Sequence, residues 1–239
     1  MRKRLGVNID HIATLRNARG EKHPDPYTVA LNVLKAGANS ITVHLREDRR
    51  HIKDIDLKVL SSNKSIPINL EIASDSTMVK NALKYKPSYI CLVPEKRNEI
   101  TTEGGLNLKK NKNKIKKILE ILNSNNIRTS LFINPSISDI KISKKIDTDC
   151  IEIHTGKLSN LVKSGKDYSK ELKKIKKCSV YAKQNGIKVH AGHGLDYKTT
   201  KILSKINEIE EFNIGHFLIG ESIFYGLKKV IKNFKKIIK

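Results

Sequence analysis

Residues 150–190 read CIEIHTGKLSNLVKSGKDYSKELKKIKKCSVYAKQNGIKVH, and this stretch contains the pattern that decides the fold. It begins and ends with short runs rich in β-branched residues, 150–154 and 187–190, which predict strands. Between them, 169–185 has apolar residues at helical spacing and ends in Asn185-Gly186, a pair typical of a helix terminus. A strand, a helix and a second strand predict one repeat of a parallel α/β sheet.

The same repeat is found along the whole chain of 239 residues. The predicted strands are 5–10, 40–44, 68–72, 89–93, 128–133, 150–154, 187–190 and 212–215. The predicted helices are 26–36, 54–61, 76–85, 108–124, 136–146, 169–185, 198–205 and 222–238. Eight repeats of about 30 residues, with no change of composition at mid-chain, predict a (β/α)8 TIM barrel that residues 1–239 form as a single domain. A doubly wound open sheet is the alternative, although no Gly-x-Gly-x-x-Gly follows the first strand.

The chain is strongly basic. Lys and Arg number 47 against 24 Asp and Glu, which gives a formal net charge of +23. A charge of this size attracts nucleic acid, anionic membranes or phosphorylated metabolites. The densest lysine stretches, 109–117, 170–177 and 228–239, alternate with Ile and Leu at helical spacing, which is typical of a solvated helix face. Because aromatic residues make up only 5% of the chain, nucleic-acid binding is the less favoured interpretation.

The cysteines and apolar segments bear on the cellular compartment. Cys91, Cys150 and Cys178 lie far apart without C-x-x-C spacing, so neither a zinc ribbon nor a disulfide framework is indicated. No apolar run approaches the ~20 residues of a membrane-spanning helix. The basic N-terminus leads straight into 7–11 without the apolar stretch of a signal peptide. We therefore expect a cytoplasmic protein that does not bind membranes.

Polar residues alternate with apolar ones near the C-terminal ends of several predicted strands. Because strand residues two apart point the same way, each of the following sets shares a face: Asn8 and Asp10; Thr42 and His44; Asn69 and Glu71; Ser130, Phe132 and Asn134; Glu152 and His154. The apolar residues must face the helices, so the polar residues point into the barrel. Buried polar groups are costly unless partnered, and their number predicts one shared site at the C-terminal mouth of the barrel.

The histidines support the same site. Six of the eight lie in or just after predicted strands: His11, His44, His154, His190, His193 and His216. Six together favour acid–base or ligand chemistry over a purely structural role. His190 is three residues from His193 and cannot share a strand face with it, so we interpret His190 as a supporting residue.

The sequence also predicts two anion sites at the mouth. The turns 191–194 and 214–216, after the last two strands, contain the glycines expected of a phosphate cup made of backbone N–H groups. A second, cationic patch follows His44 and consists of Arg46, Arg49, Arg50 and His51. Seven of nine arginines lie in the first 50 residues, including Arg19, and arginine is suited to bidentate phosphate binding. The loop 101–105 is expected to lend a hydroxyl group.

Two long blocks of sequence indicate a family. VNIDHIATLRNARG (7–20) and ITVHLREDRRHI (41–52) closely resemble the pyridoxine 5'-phosphate synthase family, which performs the ring-closing step of a route to vitamin B6. Shorter matching blocks follow in the same order at 69–71, 92–97, 101–105, 151–156, 191–195 and 212–216. The resemblance spans nearly the whole chain, whereas the intervening helices are diverged and lysine-rich. At His190 some relatives carry Asn.

The resemblance implies a (β/α)8 enzyme that condenses 1-deoxy-D-xylulose 5-phosphate with 3-amino-2-oxopropyl phosphate. Pyridoxine 5'-phosphate, inorganic phosphate and water would be released without metal or organic cofactor, and the enzyme would be a homo-octamer. By motif, His44 and Glu71 are implied as proton acceptors, His193 as a proton donor and Glu152 as the stabiliser of a charged intermediate. The amino-ketone phosphate would be held by Asn8, Arg19, Gly194, Gly215 and His216, and the deoxyxylulose phosphate by Asp10, His11, Arg46, His51 and Thr101.

Two alternatives remain open at this point. Histidines and carboxylates at strand ends are also zinc ligands, so a metal-dependent barrel hydrolase is one alternative, although no His-x-His pair occurs. A basic nucleic-acid-binding protein is the other. The two phosphorylated substrates and the two predicted anion sites favour the synthase.

Overall fold

The computed structural model describes residues 2–95 and 104–239. Its eight strands are β1 Arg4–Asn8, β2 Ser40–His44, β3 Ile68–Ala73, β4 Tyr89–Val93, β5 Arg128–Ile133, β6 Cys150–His154, β7 Lys188–Gly192 and β8 Ile209–Ile214. Each strand pairs in parallel with the next, and β8 pairs in parallel with β1, so the sheet closes into a barrel. The predicted TIM-barrel fold is confirmed.

The described residues form eleven helices rather than the predicted eight. They are α1 Asp10–Arg19, α2 Pro26–Lys35, α3 Asp54–Ser62, α4 Ser76–Tyr85, α5 Leu108–Ser124, α6 Ile137–Lys145, α7 Gly156–Lys163, α8 Ser169–Gln184, α9 Tyr197–Leu203, α10 His216–Tyr225 and α11 Leu227–Ile237. Helices α1 and α7 were not predicted. The single helix predicted over 222–238 is wrong, because Gly226, at φ +80°, separates α10 from α11. Among the described residues, every helix is too short or too polar to cross a bilayer.

The first strand ends earlier than the sequence pattern predicts. β1 stops at Asn8, and Asp10 opens helix α1, so the predicted shared strand face of Asn8 and Asp10 is wrong. The Asn8 side chain accepts a hydrogen bond from the Asp10 backbone N–H at 2.9 Å and donates to the Asp10 carboxylate at 3.0 Å. An acidic residue in the first turn also suits the positive end of the helix dipole. These local contacts favour the turn into a helix over a longer strand.

The two faces of the barrel wall differ in polarity. Outward side chains such as Val7, Val43 and Leu70 are fully buried against the helices and form the main apolar core. Inward side chains are mostly polar, and a chain of hydrogen bonds crosses the interior: Asn69 donates to Thr42 at 3.3 Å, Thr42 to Asn213 at 3.3 Å, and Asn213 to Glu152 at 2.6 Å. This polar layer satisfies buried groups and supports the mouth above it.

Charged residues fill the opposite, N-terminal end of the barrel interior, which we call the base. There the Arg4 guanidinium donates to Glu211 at 2.6 Å, and Arg128 donates to the Cys150 sulfur at 2.7 Å. His190 lies in this layer, with Nδ1 3.9 Å from Glu211. The mouth and the base are therefore two polar ends separated by the Thr42–Asn213 layer.

Candidate active site

The mouth gathers candidate site residues from seven of the eight strand ends. Asn8 ends β1, His44 ends β2, Glu71 lies near the end of β3, Glu95 follows β4, Glu152 and His154 end β6, His193 follows β7, and Gly215 and His216 follow β8. The expectation that polar strand ends meet at one rim is met for these residues. His190 is the exception among the predicted histidines, because its position one layer deeper places it in the base.

His44 is a buried histidine of the mouth. Its backbone N–H donates to Asp10 at 2.9 Å, which ties the end of β2 to the start of α1. Its ring lies between two carboxyl groups, with Nδ1 3.7 Å from Glu71 and Nε2 3.5 Å from Glu95. Such an arrangement fits a proton acceptor, because both ring nitrogens face groups that exchange protons.

Glu71 and Glu152 have perturbed pKa values. Burial raises the pKa of Glu71 well above its usual range, and the negative charges of Glu152 and Asp10 add to the effect. Burial also raises the pKa of Glu152 to about 7, although the hydrogen bond from Asn213 opposes the shift. Two neighbouring carboxyl groups that are costly to ionise suit proton transfer near neutral pH.

Glycine makes room for Glu152. A Cβ on Gly192, the last residue of β7, would overlap the Glu152 carboxylate, so only glycine fits beside this side chain. The next residue, His193, has φ +80°, a left-handed conformation uncommon for a residue with a side chain. Its ring lies 4.7 Å from the ring of His154, centroid to centroid. Because burial and the neighbouring His193 lower the pKa of His154 to about 4, His154 is neutral at physiological pH.

The turn predicted as a phosphate cup after β8 lies at a helix start. Gly215 is the N-cap of α10, and no described side chain caps that helix, so its first N–H groups could bind an anion. A Cβ on Gly215 would crowd the Asn8 side chain. The exposed His216 begins α10, and its ring lies 5.0 Å from the ring of His11 on α1, tilted by 57°. Gly194, at φ +75°, lies after β7 on the same rim.

The second predicted anion site surrounds Arg46 and His51. Arg46 is buried, and its Nε lies 3.8 Å from Glu95. The His51 ring stacks on His11 at 6.5 Å, and its Nδ1 lies 2.6 Å from the Thr14 hydroxyl. Burial and the positive charges of Arg46 and His44 lower the pKa of His51 to about 4. A neutral His51 can hydrogen-bond an anion but adds no charge.

Most arginines of the N-terminal cluster form ion pairs within the chain. Arg4 pairs with Glu211, Arg16 with Asp56, Arg49 with Asp54 and Arg50 with Asp48. The carboxylates of the chain therefore already occupy these four guanidinium groups, and phosphate binding by the cluster stays a prediction. Arg46 is the member that lies in the mouth.

Arg19 and Thr101 complete the predicted binding residues. Arg19 lies on the exposed last turn of α1, roughly 13 Å along the helix from Asp10. Thr101 lies outside the described residues.

Comparison with known proteins decides the family. Residues 5–239 match the family model described as pyridoxal phosphate biosynthesis protein PdxJ. The pyridoxine 5'-phosphate synthase of Pelagibacter ubique is 62% identical over 235 residues, which cover 98% of each chain. That of Sulfurihydrogenibium is 50% identical over 98% of this chain and 97% of the relative. The chain belongs to the PdxJ family. It is an enzyme of vitamin B6 biosynthesis, as the resemblance predicted.

Solved structures extend the likeness of the PdxJ barrel to distant enzymes. A tryptophan synthase structure from M. tuberculosis superposes with a TM-score of 0.63 at 6% identity, covering 100% of this chain and 94% of that chain. Phosphoribosylanthranilate isomerase from Thermotoga maritima gives a TM-score of 0.58 at 12% identity, covering 99% and 98%. At such low identity these structures support the TIM-barrel fold alone.

One group of side chains in this PdxJ-family mouth is close enough to hold a cation. Asp10, His44 and Glu71 each offer a ligand atom within 4.8 Å of the others, the one such group found among the described residues. However, both carboxylate oxygens of Asp10 already accept hydrogen bonds, from Asn8 and from the His44 N–H. The three side chains can therefore act as a hydrogen-bonded acid–base cluster at least as well as they can bind a metal ion.

Sequence reasoning assigned no role to two residues of the site, Glu95 and Asn213. Glu95 follows β4 on the same parity as Cys91 and Val93, so the alternation rule that identified Glu71 would also have found it. Asn213 lies inside β8, whose predicted start at Phe212 left too short a strand to show the alternation. The pairing of Asn213 with Glu152 joins strands that are distant in sequence, and no local signal identifies it.

Proposed function

We propose that this enzyme condenses 1-deoxy-D-xylulose 5-phosphate with 3-amino-2-oxopropyl phosphate to pyridoxine 5'-phosphate, releasing inorganic phosphate and water. The observation that carries the proposal is the meeting of His44, Glu71, Glu152 and His193 at one rim, between an uncapped helix start and a buried arginine. Two phosphorylated substrates need two anion sites. A ring-closing condensation also needs several proton transfers around a single cavity.

The four acid–base groups take different roles. His44 and Glu71 accept protons, His193 donates one, and Glu152 stabilises a positively charged intermediate from the polar layer below. The raised pKa of Glu71 supports its role, because a carboxylate with a raised pKa is a stronger proton acceptor than a free one. His193 follows β7 on the same rim, and its ring lies 4.7 Å from the ring of the neutral His154, within the cluster of acid–base groups.

The remaining site residues bind the two substrates. Asn8, Arg19, Gly194, Gly215 and His216 hold the amino-ketone phosphate, whereas Asp10, His11, Arg46, His51 and Thr101 hold the deoxyxylulose phosphate. The free N–H groups at the start of α10 support the first assignment, and the buried guanidinium of Arg46 supports the second. Holding both substrates in a fixed relation makes their condensation effectively intramolecular.

The reaction is proposed to need no metal and no organic cofactor. Its steps are imine formation, loss of water, loss of phosphate and ring closure, and each is assisted by a proton given or taken by an acid or base, a role that the named side chains can fill. The test is to mix the two substrates with enzyme treated with chelator and to follow the absorbance of pyridoxine 5'-phosphate. Product formation at the untreated rate is expected. No product from either preparation would overturn the proposal.

A metal-dependent hydrolase is the second candidate function, and the proximity of Asp10, His44 and Glu71 is the observation that favours it. Carboxylate and imidazole ligands suit zinc. Elemental analysis of the purified protein separates the two functions. Stoichiometric zinc together with chelator-sensitive activity would favour the hydrolase, and substoichiometric metal with full synthase activity would exclude it.

We further propose a homo-octamer that acts in the cytoplasm on small phosphorylated substrates rather than on nucleic acid. Ile223 and Phe224 at the end of α10 are 80% and 79% exposed, which supports burial of this apolar end between subunits. All three cysteines are free and buried, as suits a reducing compartment. Sedimentation equilibrium measures the assembly, and a mass below eight subunits at micromolar concentration would overturn that part of the proposal.

A further inference from the structure

Glu95 is a buried carboxylate of the mouth to which neither the motifs nor the family assigns a role. Its side chain is 3% exposed, and it follows β4 immediately. One oxygen, Oε1, accepts a hydrogen bond from the Glu47 backbone N–H at 2.9 Å and lies 3.8 Å from Arg46 Nε. The other oxygen, Oε2, lies 3.5 Å from His44 Nε2. Glu95 thus contacts both a proposed proton acceptor and a proposed phosphate-binding arginine.

The facing atoms of Glu95 and His44 have no other hydrogen-bond partner. Glu95 Oε2 and His44 Nε2 are both buried and make no hydrogen bond to any residue of 2–95 or 104–239. A buried polar atom without a partner is costly, and catalytic contacts in unliganded enzymes are often long and tighten when substrate binds. The two atoms are therefore each other's natural partners.

The two carboxyl groups beside His44 differ in their proton affinity. Burial and the charges of Glu152 and Asp10 raise the pKa of Glu71. Burial opposes ionisation of Glu95, but the close contact with the His44 ring, the hydrogen bond from the Glu47 N–H and the positive charges of His44 and Arg46 outweigh it and lower the pKa of Glu95. Glu71 therefore favours its protonated form more than a free carboxyl group does, whereas Glu95 favours its ionised, hydrogen-bond-accepting form. Asp10, Arg46 and His51 are the other charged or titratable groups around the His44 ring.

On the basis of the proposed function, we propose that Glu95 is a positioning residue that accepts the Nε2–H of His44 and thereby leaves Nδ1, facing Glu71, as the proton acceptor. The same carboxylate holds Arg46 and the 46–47 backbone in place for the phosphate of one substrate. A carboxylate that accepts a hydrogen bond from one ring nitrogen of a histidine fixes the proton there and leaves the second ring nitrogen as the proton acceptor.

The decisive variant is Glu95→Gln. Glutamine keeps a carbonyl oxygen that can still accept the Glu47 N–H, but it lacks the negative charge that favours His44 Nε2–H and Arg46. We expect kcat to fall about tenfold or more and the KM for 1-deoxy-D-xylulose 5-phosphate to rise, with the KM for the amino-ketone unchanged. Glu95→Asp keeps the charge and is expected to recover part of kcat. Glu120→Gln, an exposed carboxylate paired with Lys116, is the matched control.

If Glu95→Gln keeps kcat and both KM values within about twofold of the control, Glu95 only anchors the backbone and the proposal is wrong. A second measurement needs neither substrate nor a folded Glu95 variant. The 15N chemical shifts of the His44 ring in the unliganded wild type, assigned by their loss in His44→Asn, report the tautomer. Hydrogen on Nε2 is expected, and hydrogen on Nδ1 alone would overturn the proposal even if the enzyme proved to catalyse another reaction.

Discussion

The two ends of the barrel interior contain the same kinds of side chain but pair them differently. At the base, Arg4 pairs with Glu211 at 2.6 Å and Arg128 donates to Cys150 at 2.7 Å. At the mouth, His44 Nε2, Glu95 Oε2 and His154 Nε2 are buried, and none of them has a hydrogen-bond partner in the described part of the chain. The base pairs its charged groups within the protein, although the Ser130 hydroxyl there is also buried without a partner, whereas the mouth leaves ring nitrogens and a carboxylate oxygen for a ligand or for proton transfer.

The difference has an electrostatic consequence. In the base each buried carboxylate lies beside a guanidinium, which offsets the cost of burying its charge. In the mouth Glu71 lies near Glu152 and Asp10, so like charges and burial both raise its pKa. Inward polarity alone therefore does not identify an active site in this barrel. The state of pairing distinguishes a structural end from a reactive one.

The largest effect on turnover is expected from removing Glu71, a proposed proton acceptor of the mouth. Glu71→Gln keeps the size of the side chain and cannot accept a proton, so turnover should fall about 10²- to 10⁴-fold. Burial makes the ionised form of Glu71 unfavourable in the folded protein, so the variant should be no less stable than the wild type. Steady-state kinetics and thermal unfolding check both points. Near-normal turnover would show that the unpaired carboxyl groups of the mouth are not catalytic.

The next effect tests whether the mouth depends on close packing below it. Gly192→Ala places a Cβ where the Glu152 carboxylate lies, so Glu152 must move away from Asn213. A displacement near 1 Å at a catalytic group is expected to lower kcat about 10²-fold. Gly220→Ala is the matched control, because an added Cβ there meets no atom within 4 Å. Equal activity of the two variants would contradict the assigned position of Glu152.

A smaller effect is expected on the pH dependence of kcat/KM. Glu71 must be ionised to accept a proton, so kcat/KM should rise with pH through its raised pKa. Glu152→Gln removes a negative charge that contributes to this raised value, so the acidic limb of the profile should move to lower pH by roughly one unit. Measuring the residual kcat/KM of the variant from about pH 5 to about pH 9 gives the apparent pKa of the acidic limb. An unmoved limb would mean that another group controls it.

The strands of the barrel can be predicted from the sequence, but the depth of each inward residue cannot. The eight strands were predictable because polar and apolar residues alternate along them, and the outward apolar face fixes the barrel. Helix α10 was not predictable in the same way, because it is apolar on nearly every side and has no amphipathic pattern. His190 and His44 follow the same alternation, yet one lies in the base and the other in the mouth. The depth of a residue in a barrel depends on strand register, which a single strand does not encode.

The smallest effect on catalysis is expected at the base. Glu211→Gln is the same substitution as Glu71→Gln at the opposite end, and it removes the charge that pairs with Arg4 and faces His190. Because Arg4 is 37% exposed, water compensates part of the loss, and unfolding free energy should fall by about 1–2 kcal/mol. Urea denaturation at fixed protein concentration measures it. Turnover should fall far less than in Glu71→Gln, because the Thr42–Asn213 layer lies between Glu211 and the His44–Glu71 pair, and the Glu211 charge acts on the mouth only by helping to raise the pKa of Glu152. A large loss of turnover without loss of stability would mean that the two ends are coupled, and that pairing alone does not separate structure from chemistry in this barrel.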